Sequence, residues 1–302
     1  MKRAFLHLYF KAGRSFNEVR LFGEGLKRHG WEVYAGDHTQ FTGTDLIVQW
    51  NIRNGELVKR VLADGGEACI LETSYIEPRK EYCSVGFGYG VNKRLRHYGP
   101  FTDDRRWQAR FADRLKPWRE PVSGPVLIMG QTPGDMALKS HVNFFDWVAR
   151  VYNELTKLGH DVRYRPHPNT GPHLLKRHGQ RAKKWQRVCV HADEEQLYRG
   201  LHLALDEGMK IEATKTLEQA LNEAGHVVTF NSNSGVDAVL HGVPAITMDE
   251  GAMAWDVAGH KLGEIVRPDR EKWAHWLSWC QWTPDELESG VCWEHAAPPH
   301  MR

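Results

Sequence analysis

The chain has 302 residues, enough for two ordinary domains or one large one and too few for three. Hydrophobic residues at 41% beside charged residues at 26% exclude disorder as the main state. Forty basic against 38 acidic residues leave a formal charge of +2, which excludes a general polycation, so any binding of anions or nucleic acid rests on local patches.

In chain order, the start Met1-Lys2-Arg3-Ala4-Phe5-Leu6-His7 is basic but lacks a long apolar region and a small-residue cleavage site, so no secretory leader is expected. Arg3 to Tyr9 reads as a strand. Ser15-Phe16-Asn17-Glu18 has capping-box spacing and predicts a helix running to about His29, where Gly30 can adopt the left-handed conformation that ends it. Strands are expected over 31–35, 45–50 and 67–72, with a helix over 56–63; this alternation predicts βα units on a parallel sheet. From Lys80 to Glu120 the pattern dissolves into glycines, arginines and aromatics, with a helix expected near 103–115. Pro121-Val122-Ser123-Gly124-Pro125 reads as a linker. Beyond it come a strand over 126–130, a helix over 143–158, and a strand over 161–165. In that helix Phe144, Val148, Val151, Leu155 and Leu158 form one apolar stripe. A strand over 188–191, helices over 194–201 and 216–223, a strand over 227–230, a helix over 236–241 and a strand over 245–248 complete the second half. In the tail, Trp273, Trp276, Trp279 and Trp282 step by three residues and do not form one stripe. A first helix stopping near Gln281, then a fresh start at Thr283-Pro284-Asp285-Glu286, makes two short buried helices a better reading than an aromatic cage.

No run approaches the roughly eighteen apolar residues of a membrane span. The five cysteines, Cys69, Cys83, Cys189, Cys280 and Cys292, are scattered, odd in number and without a CxxC pair, as expected of reduced thiols in the cytoplasm.

The stretch Asn231-Ser232-Asn233-Ser234-Gly235 lies between an apolar strand and a short helix. Its small hydroxyl and amide side chains beside free helix-terminal amides make an anion site, and four of them exceed what plain capping needs. Arg165-Pro166-His167-Pro168 follows another strand, and two prolines hold one histidine at the sheet edge, where it can donate to a phosphate or a ribose hydroxyl. Gly130-Gln131-Thr132-Pro133-Gly134-Asp135 offers a further glycine-bearing turn. Gly86-Phe87-Gly88-Tyr89-Gly90 has the wrong spacing and no good preceding strand for a dinucleotide fingerprint, which discards a nicotinamide reading. Glu72 ends a strand and is either a general base or a surface or capping carboxylate; spacing does not choose between them. There is no Asp-x-Asp clamp, and the histidines at 167, 173 and 178 lack metal-ligand spacing, so no metal is expected. Lys176, Arg177, Arg181, Lys183, Lys184 and Arg187, if helical, project within roughly a 160° arc, either a solvated surface or a face for a phosphate backbone. Lys93-Arg94-Leu95-Arg96-His97 is a second basic cluster.

The sequence Arg165-Pro166-His167-Pro168, followed by Ser232-Asn233-Ser234-Gly235-Val236-Asp237-Ala238-Val239-Leu240-His241-Gly242-Val243-Pro244, resembles the second domain of the capsule-polysaccharide, Kdo-transferase-like glycosyltransferases. Leu71-Glu72-Thr73-Ser74-Tyr75-Ile76 is similar to that family's acidic motif at the end of a first-domain strand. The resemblance implies an α/β GT-B fold: two Rossmann-like domains, 1–120 on the acceptor side and 121–266 binding a nucleotide sugar, facing across a cleft, with a helical tail, 267–302, crossing back. It implies donor binding by Gln131, Thr132, Arg165, His167, Ser232, Asn233, Ser234, Gly235 and Glu250, with Glu72 as general base and no cofactor beyond the nucleotide-sugar co-substrate. Thr73-Ser74 and the loop over 248–255 depart from the family pattern.

Small stand-alone relatives of this kind resemble bacteriophage enzymes that glycosylate hydroxymethylated pyrimidines in DNA, which implies a DNA acceptor for the basic face and a host-cytoplasmic location. The alternatives are a glycan or lipid-linked acceptor, a nucleotide-sugar epimerase, and a non-catalytic DNA- or sugar-binding protein.

Overall fold

The computed structural model describes residues 2–9, 12–52, 54–120, 124–138, 143–168 and 194–302. Residues 121–123 of the expected linker, the strand expected over 188–191, Cys189, the histidines at 173 and 178, and Lys176, Arg177, Arg181, Lys183, Lys184 and Arg187 lie outside the described residues. The chain forms two compact units, one made of 1–112 with 270–302 and the other of 113–269.

Unit 1 begins with β1 (Arg3–His7), α1 (Arg14–Arg28), β2 (Glu32–Gly36), β3 (Leu46–Trp50), α2 (Gly55–Ala63), β4 (Glu67–Thr73), β5 (Cys83–Phe87) and α3 (Arg105–Arg110). Unit 2 follows with β6 (Val126–Met129), α4 (Phe144–Lys157), β7 (Val162–Arg165), α5 (Glu194–Asp206), β8 (Lys210–Ile211), α6 (Leu217–Glu223), β9 (His226–Thr229), α7 (Ser234–Leu240) and β10 (Ala245–Thr247). The chain then returns to unit 1 as α8 (Glu271–Ser278), β11 (Gln281–Trp282), α9 (Pro284–Ser289) and α10 (Val291–Ala296).

The sheet of unit 1 has the order β11-β5-β4-β3-β1-β2, with β1 to β4 parallel and β5 antiparallel to both its neighbours. The sheet of unit 2, β10-β9-β6-β7-β8, is parallel throughout and follows the strand order of a Rossmann half. Its central strand reads Val126-Leu127-Ile128-Met129 without alternation and is buried along its whole length, as a parallel strand covered on both faces must be. Both units are thus Rossmann-like α/β structures, the GT-B class of fold.

Local sequence explains most of the elements and corrects some expectations. Helix α4 buries Phe144, Val148, Val151 and Leu155, but Leu158, expected in the same stripe, is its C-cap and is 56% exposed. Ser15 does not cap α1: the cap lies two residues earlier, at Gly13, the helix begins at Arg14, and there is no side-chain cap. Glu18, the other half of that expected box, is buried and accepts from Arg14 Nε at 2.6 Å, one helical turn away. Gly30 does take a left-handed φ of 78°.

Within 80–120 the structure has a strand that the sequence pattern hides. Residues Cys83–Phe87 form β5 and pair with β4. Gly86 lies inside it because a Cβ there would meet Leu95 Cβ at 2.7 Å and His97 Cε1 at 2.9 Å. The glycines at 86 and 88 thus belong to a strand and its exit, which corrects the view that no strand supports this stretch.

In the tail the first helix ends at Ser278, and Gln281–Trp282 form a strand on β5 where only helices were expected. Thr283 then caps α9 as expected: its Oγ1 accepts the Glu286 amide at 3.3 Å, while Glu286 Oε2 accepts the Thr283 amide at 2.9 Å. Trp273, Trp279 and Trp282 are buried. Trp282 and Trp293 join Phe22, Leu26 and Phe87 in one apolar cluster with β1, β3 and β4, so the tail completes the core of unit 1. Arg106 fastens it: Nε donates to Ser278 O at 2.8 Å, Nη2 to Gln281 O at 2.6 Å, and Nη1 and Nη2 to the Glu286 carboxylate at 2.6 and 2.8 Å. The guanidinium carbon lies 4.3 Å from the Trp282 ring centroid and 5.3 Å from that of Trp279.

No helix among the described residues is long and apolar enough to cross a membrane.

Candidate functional site

In open parallel sheets a ligand crevice forms outside the carboxyl ends of the strands, where the strand order reverses. In unit 2 this switch point lies between β6 and β9. Met129 is level with Arg165 on β7 and Thr229 on β9, and Thr229 is level with Thr247 on β10. Two positions beyond this common rung stand His167, Gln131, Asn231 and Asp249, one after each of four strands. Parallel register therefore brings together residues far apart in the chain.

The strand ends sit close because Gly130 has no side chain. A Cβ there would lie 2.4 Å from the His167 amide nitrogen and 2.8 Å from Arg165 O, and the Gly130 amide itself donates to Arg165 O at 2.8 Å. His167 Nδ1 then meets Thr132 Oγ1 at 3.2 Å. Burial lowers the His167 pKa, with Asp135 opposing, so the ring is held toward its neutral form. Neutral imidazole keeps one donor and one acceptor nitrogen, and Thr132 can serve either.

Between β6 and β9, Gln131 Nε2 donates to Asn231 Oδ1 at 2.7 Å and Asn231 N donates to Gln131 Oε1 at 3.0 Å. Asn231 Nδ2 donates to Ala137 O at 2.6 Å and to Asp249 Oδ1 at 3.2 Å. Beyond Asn231, the Ser232 amide donates to Thr229 Oγ1 at 3.0 Å. Ser232 Oγ accepts from Ser234 N at 3.3 Å and from Ser234 Oγ at 2.9 Å, so the two hydroxyls form a pair at the entrance of α7. Asn233 is the N-cap of α7 but makes no side-chain cap bond, which leaves its side chain outside the capping role. Gly235 sits over Thr229 Cγ2, 3.1 Å from where its Cβ would be.

The residues expected to hold a donor thus divide. His167, Thr132, Ser232, Asn233, Ser234 and Gly235 gather around the switch point. Gln131 is buried there, with both ends of its amide engaged by Asn231. Arg165 turns the other way, Nη1 donating to Lys215 O at 3.0 Å and to Glu212 O at 3.4 Å beyond β8. Glu250 is exposed beside the buried Asp249. Asp249 is the residue that sequence reasoning passed over, while Asn231 opened the Asn/Ser motif without being placed among the donor-binding residues; what links the two is their shared distance from a strand end.

In unit 1, Glu72 occupies the carboxyl end of β4, half-buried and level with Ser84 on β5. It lies beside the fully buried Tyr75, whose phenol is pushed well above its ordinary pKa by burial and then by the Glu72 charge, with Ser84 opposing. The strand order of unit 1 reverses between β1 and β3, and there His7 Nδ1 meets Gln49 Oε1 at 3.1 Å, both residues buried and neither singled out from sequence. Burial lowers the His7 pKa against the Gln49 bond. Among the described residues no group of three His, Cys, Asp or Glu side chains is placed to hold a metal ion.

No family model matches the chain, and no curated protein does. Two solved structures are similar over nearly their whole lengths. One is titled Thermosulfurimonas dismutans KpsC, beta Kdo 2,4 transferase, with a TM-score of 0.56 and 13% identity, covering 93% of this chain and 91% of that one. The other is titled Thermosulfurimonas dismutans KpsC, beta Kdo 2,7 transferase, with a TM-score of 0.53 and 10% identity, covering 96% and 99%. At such identities the likeness is one of fold, and it extends over both α/β units.

Proposed function

We propose that this chain is a glycosyltransferase that moves a sugar from a nucleotide-sugar donor, held by unit 2, to an acceptor hydroxyl. The observation that carries the reading is the gathering of the Thr132–His167 pair and the Ser232–Ser234 hydroxyls at one switch point. The likeness in fold to two structures titled Kdo transferases supports it. Chemically, the acceptor oxygen bonds to the anomeric carbon while that carbon's bond to the donor phosphate breaks, and the nucleotide leaves with the electron pair. Fixed donors in the site stabilise the charge that builds on the phosphate. Glu72 takes the acceptor's proton. The nucleotide sugar is a co-substrate, and no resident cofactor is assigned.

His167 gives the direct test. A panel of nucleotide sugars is screened by thermal stabilisation, and the one selected is followed by calorimetry. Replacing His167 with alanine removes a hydrogen bond to a charged group and is expected to weaken binding about ten- to a hundredfold. Because the ring's pKa is lowered in the free protein and an adjacent phosphate raises it, wild-type affinity should strengthen as pH falls from 8 toward the free ring's pKa. In His167→Ala this dependence should flatten. Unchanged affinity in the variant removes His167 from the site.

For the acceptor we propose a hydroxymethylated pyrimidine in DNA, on the strength of the basic run over 176–187 in the sequence. A saccharide acceptor is the second reading, supported by the likeness in fold to two Kdo transferases. Salt separates them. DNA binding releases counterions and should fall steeply between 50 and 200 mM salt, by roughly a factor of 10³ or more if six or more phosphates are contacted. Charge reversal at Lys183, Lys184 and Arg187 should weaken it further. Salt-insensitive acceptor binding decides for the saccharide.

A further inference from the structure

We infer that Asn231 and Asp249 are positioning residues of the donor site: with Gln131 they form a buried amide–carboxylate row that fixes the spacing of the loops after β6, β9 and β10, and so the placement of the Ser232–Ser234 and Thr132–His167 pairs. The inference rests on the glycosyl-transfer reading for what the loops hold, and on geometry alone for how they are held.

The row is continuous across the switch point. Gln131 and Asn231 exchange two hydrogen bonds, and Asn231 Nδ2 reaches both Ala137 O and Asp249 Oδ1. Asp249 Oδ1 also accepts the Gly251 amide at 2.8 Å, which fixes the turn after β10. All three side chains are buried, at 5%, 1% and 3% exposure for Gln131, Asn231 and Asp249. The arrangement admits one orientation. Flipping the Asn231 amide would set its oxygen against Ala137 O and Asp249 Oδ1, and its nitrogen against the donating Gln131 nitrogen. Gln131 is held equally, because its oxygen receives the Asn231 main-chain amide. A slip of any one loop therefore leaves a buried polar group without its partner, a penalty that an apolar filling of the same space would not impose.

The chemistry of the row separates it from the ligand contacts. A buried carboxylate would repel a phosphate, and Asp249 engages two internal donors, Asn231 Nδ2 and the Gly251 amide, on a single oxygen. The side chains left to touch a donor stand immediately beyond the row: Thr132 follows Gln131, and Ser232 follows Asn231. Gln131 and Asn231 are thus each one peptide unit from a contact residue, close enough for sub-ångström shifts to be transmitted, and Asp249 acts on them through its bond to Asn231.

The test compares wild type with Asp249→Ala and Asp249→Asn, each confirmed to melt cooperatively. With UMP, CMP, UDP and GDP as calorimetric probes, Asp249→Ala is expected to weaken nucleotide binding about ten- to a hundredfold. Asp249→Asn keeps an acceptor oxygen for Asn231 and Gly251, and should stay within about threefold of wild type. A residue that only supported the fold would lower the melting temperature in Asp249→Ala and leave the affinity of the folded protein intact; that result overturns the inference. Hydrogen exchange at the main-chain amides of 231–235 gives a second reading. Faster exchange in Asp249→Ala at matched global stability is expected, and wild-type protection overturns the inference. Should wild type bind none of the four nucleotides, the donor reading fails, while the exchange result still decides whether the row holds the loop. If Asp249→Ala does not fold, Gln131→Glu, which removes the donor facing Asn231 Oδ1, carries the same comparison.

Discussion

Replacing Glu72 with glutamine is expected to lower turnover by roughly 10²- to 10⁴-fold, the range that a positioned general base contributes. Glutamine matches glutamate in size, so the carboxyl end of β4 and its pairing with β5 should persist. What disappears is the ability to accept a proton from the incoming hydroxyl. Donor affinity, which the reading assigns to unit 2, should be nearly unchanged, so calorimetry with the selected nucleotide sugar should superimpose on wild type while single-turnover chemistry slows. The position is suited to such a role. It is half-buried at a strand's carboxyl end, beside the fully buried Tyr75, whose phenol burial holds in its protonated form. Near-normal turnover in Glu72→Gln would remove this residue from the scheme and leave the fold and donor site as they stand.

The largest expected effect on stability is at Arg106. Its guanidinium joins the Glu286 carboxylate, two main-chain carbonyls and two indole rings, and both partners of the ion pair are largely buried, with side-chain exposures of 6% and 13%. Arg106→Ala leaves Glu286 without its main countercharge in that setting, with the more exposed Arg110 at 3.0 Å and the Thr283 cap bonds still in place. Breaking a buried pair on one side typically costs about 3–5 kcal/mol. Arg106→Lys should recover little, because an ammonium lacks both the planar fork that spans Ser278 O, Gln281 O and Glu286 and the flat face that stacks on Trp282. Urea unfolding followed by tryptophan fluorescence measures both variants. A loss below about 1 kcal/mol in Arg106→Ala would show that the tail is held by its apolar contacts alone.

Much of the architecture was legible because parallel sheets leave a plain trace. Buried strands appear as short apolar runs such as Leu46-Ile47-Val48 and Val126-Leu127-Ile128, and the helices between them carry a stripe or a cap, as at Phe144–Leu155 and Thr283–Glu286. The strands that escaped notice have no such trace. Strand β5 is interrupted by Gly86, placed there to admit Leu95 and His97, while β8 and β11 are each two residues long and defined only by their partners β7 and β5. The cap of α1 was misplaced because Ser15 and Glu18 satisfy a local spacing rule, whereas the buried Glu18 is drawn into a pair with the half-buried Arg14.

At the site, the motif residues around His167 and Ser232 stood out by composition. Asp249 did not, since one aspartate after a strand carries no local signal. Its importance arises from the register of four strands, which no stretch of contiguous sequence displays.

Because residues 113–269 are enclosed within the chain of the other unit, the two units become complete at different moments of synthesis. The β1–β4 sheet emerges from the ribosome first, yet it must wait for Trp282 and Trp293 to arrive before its apolar face is covered. The enclosed unit, made later, has all of its own strands available sooner. A nascent chain halted near residue 270 would therefore carry a finished inserted unit and a flanking one still open, a state in which a chaperone has more to shield at the amino-terminal end than at the newly made one.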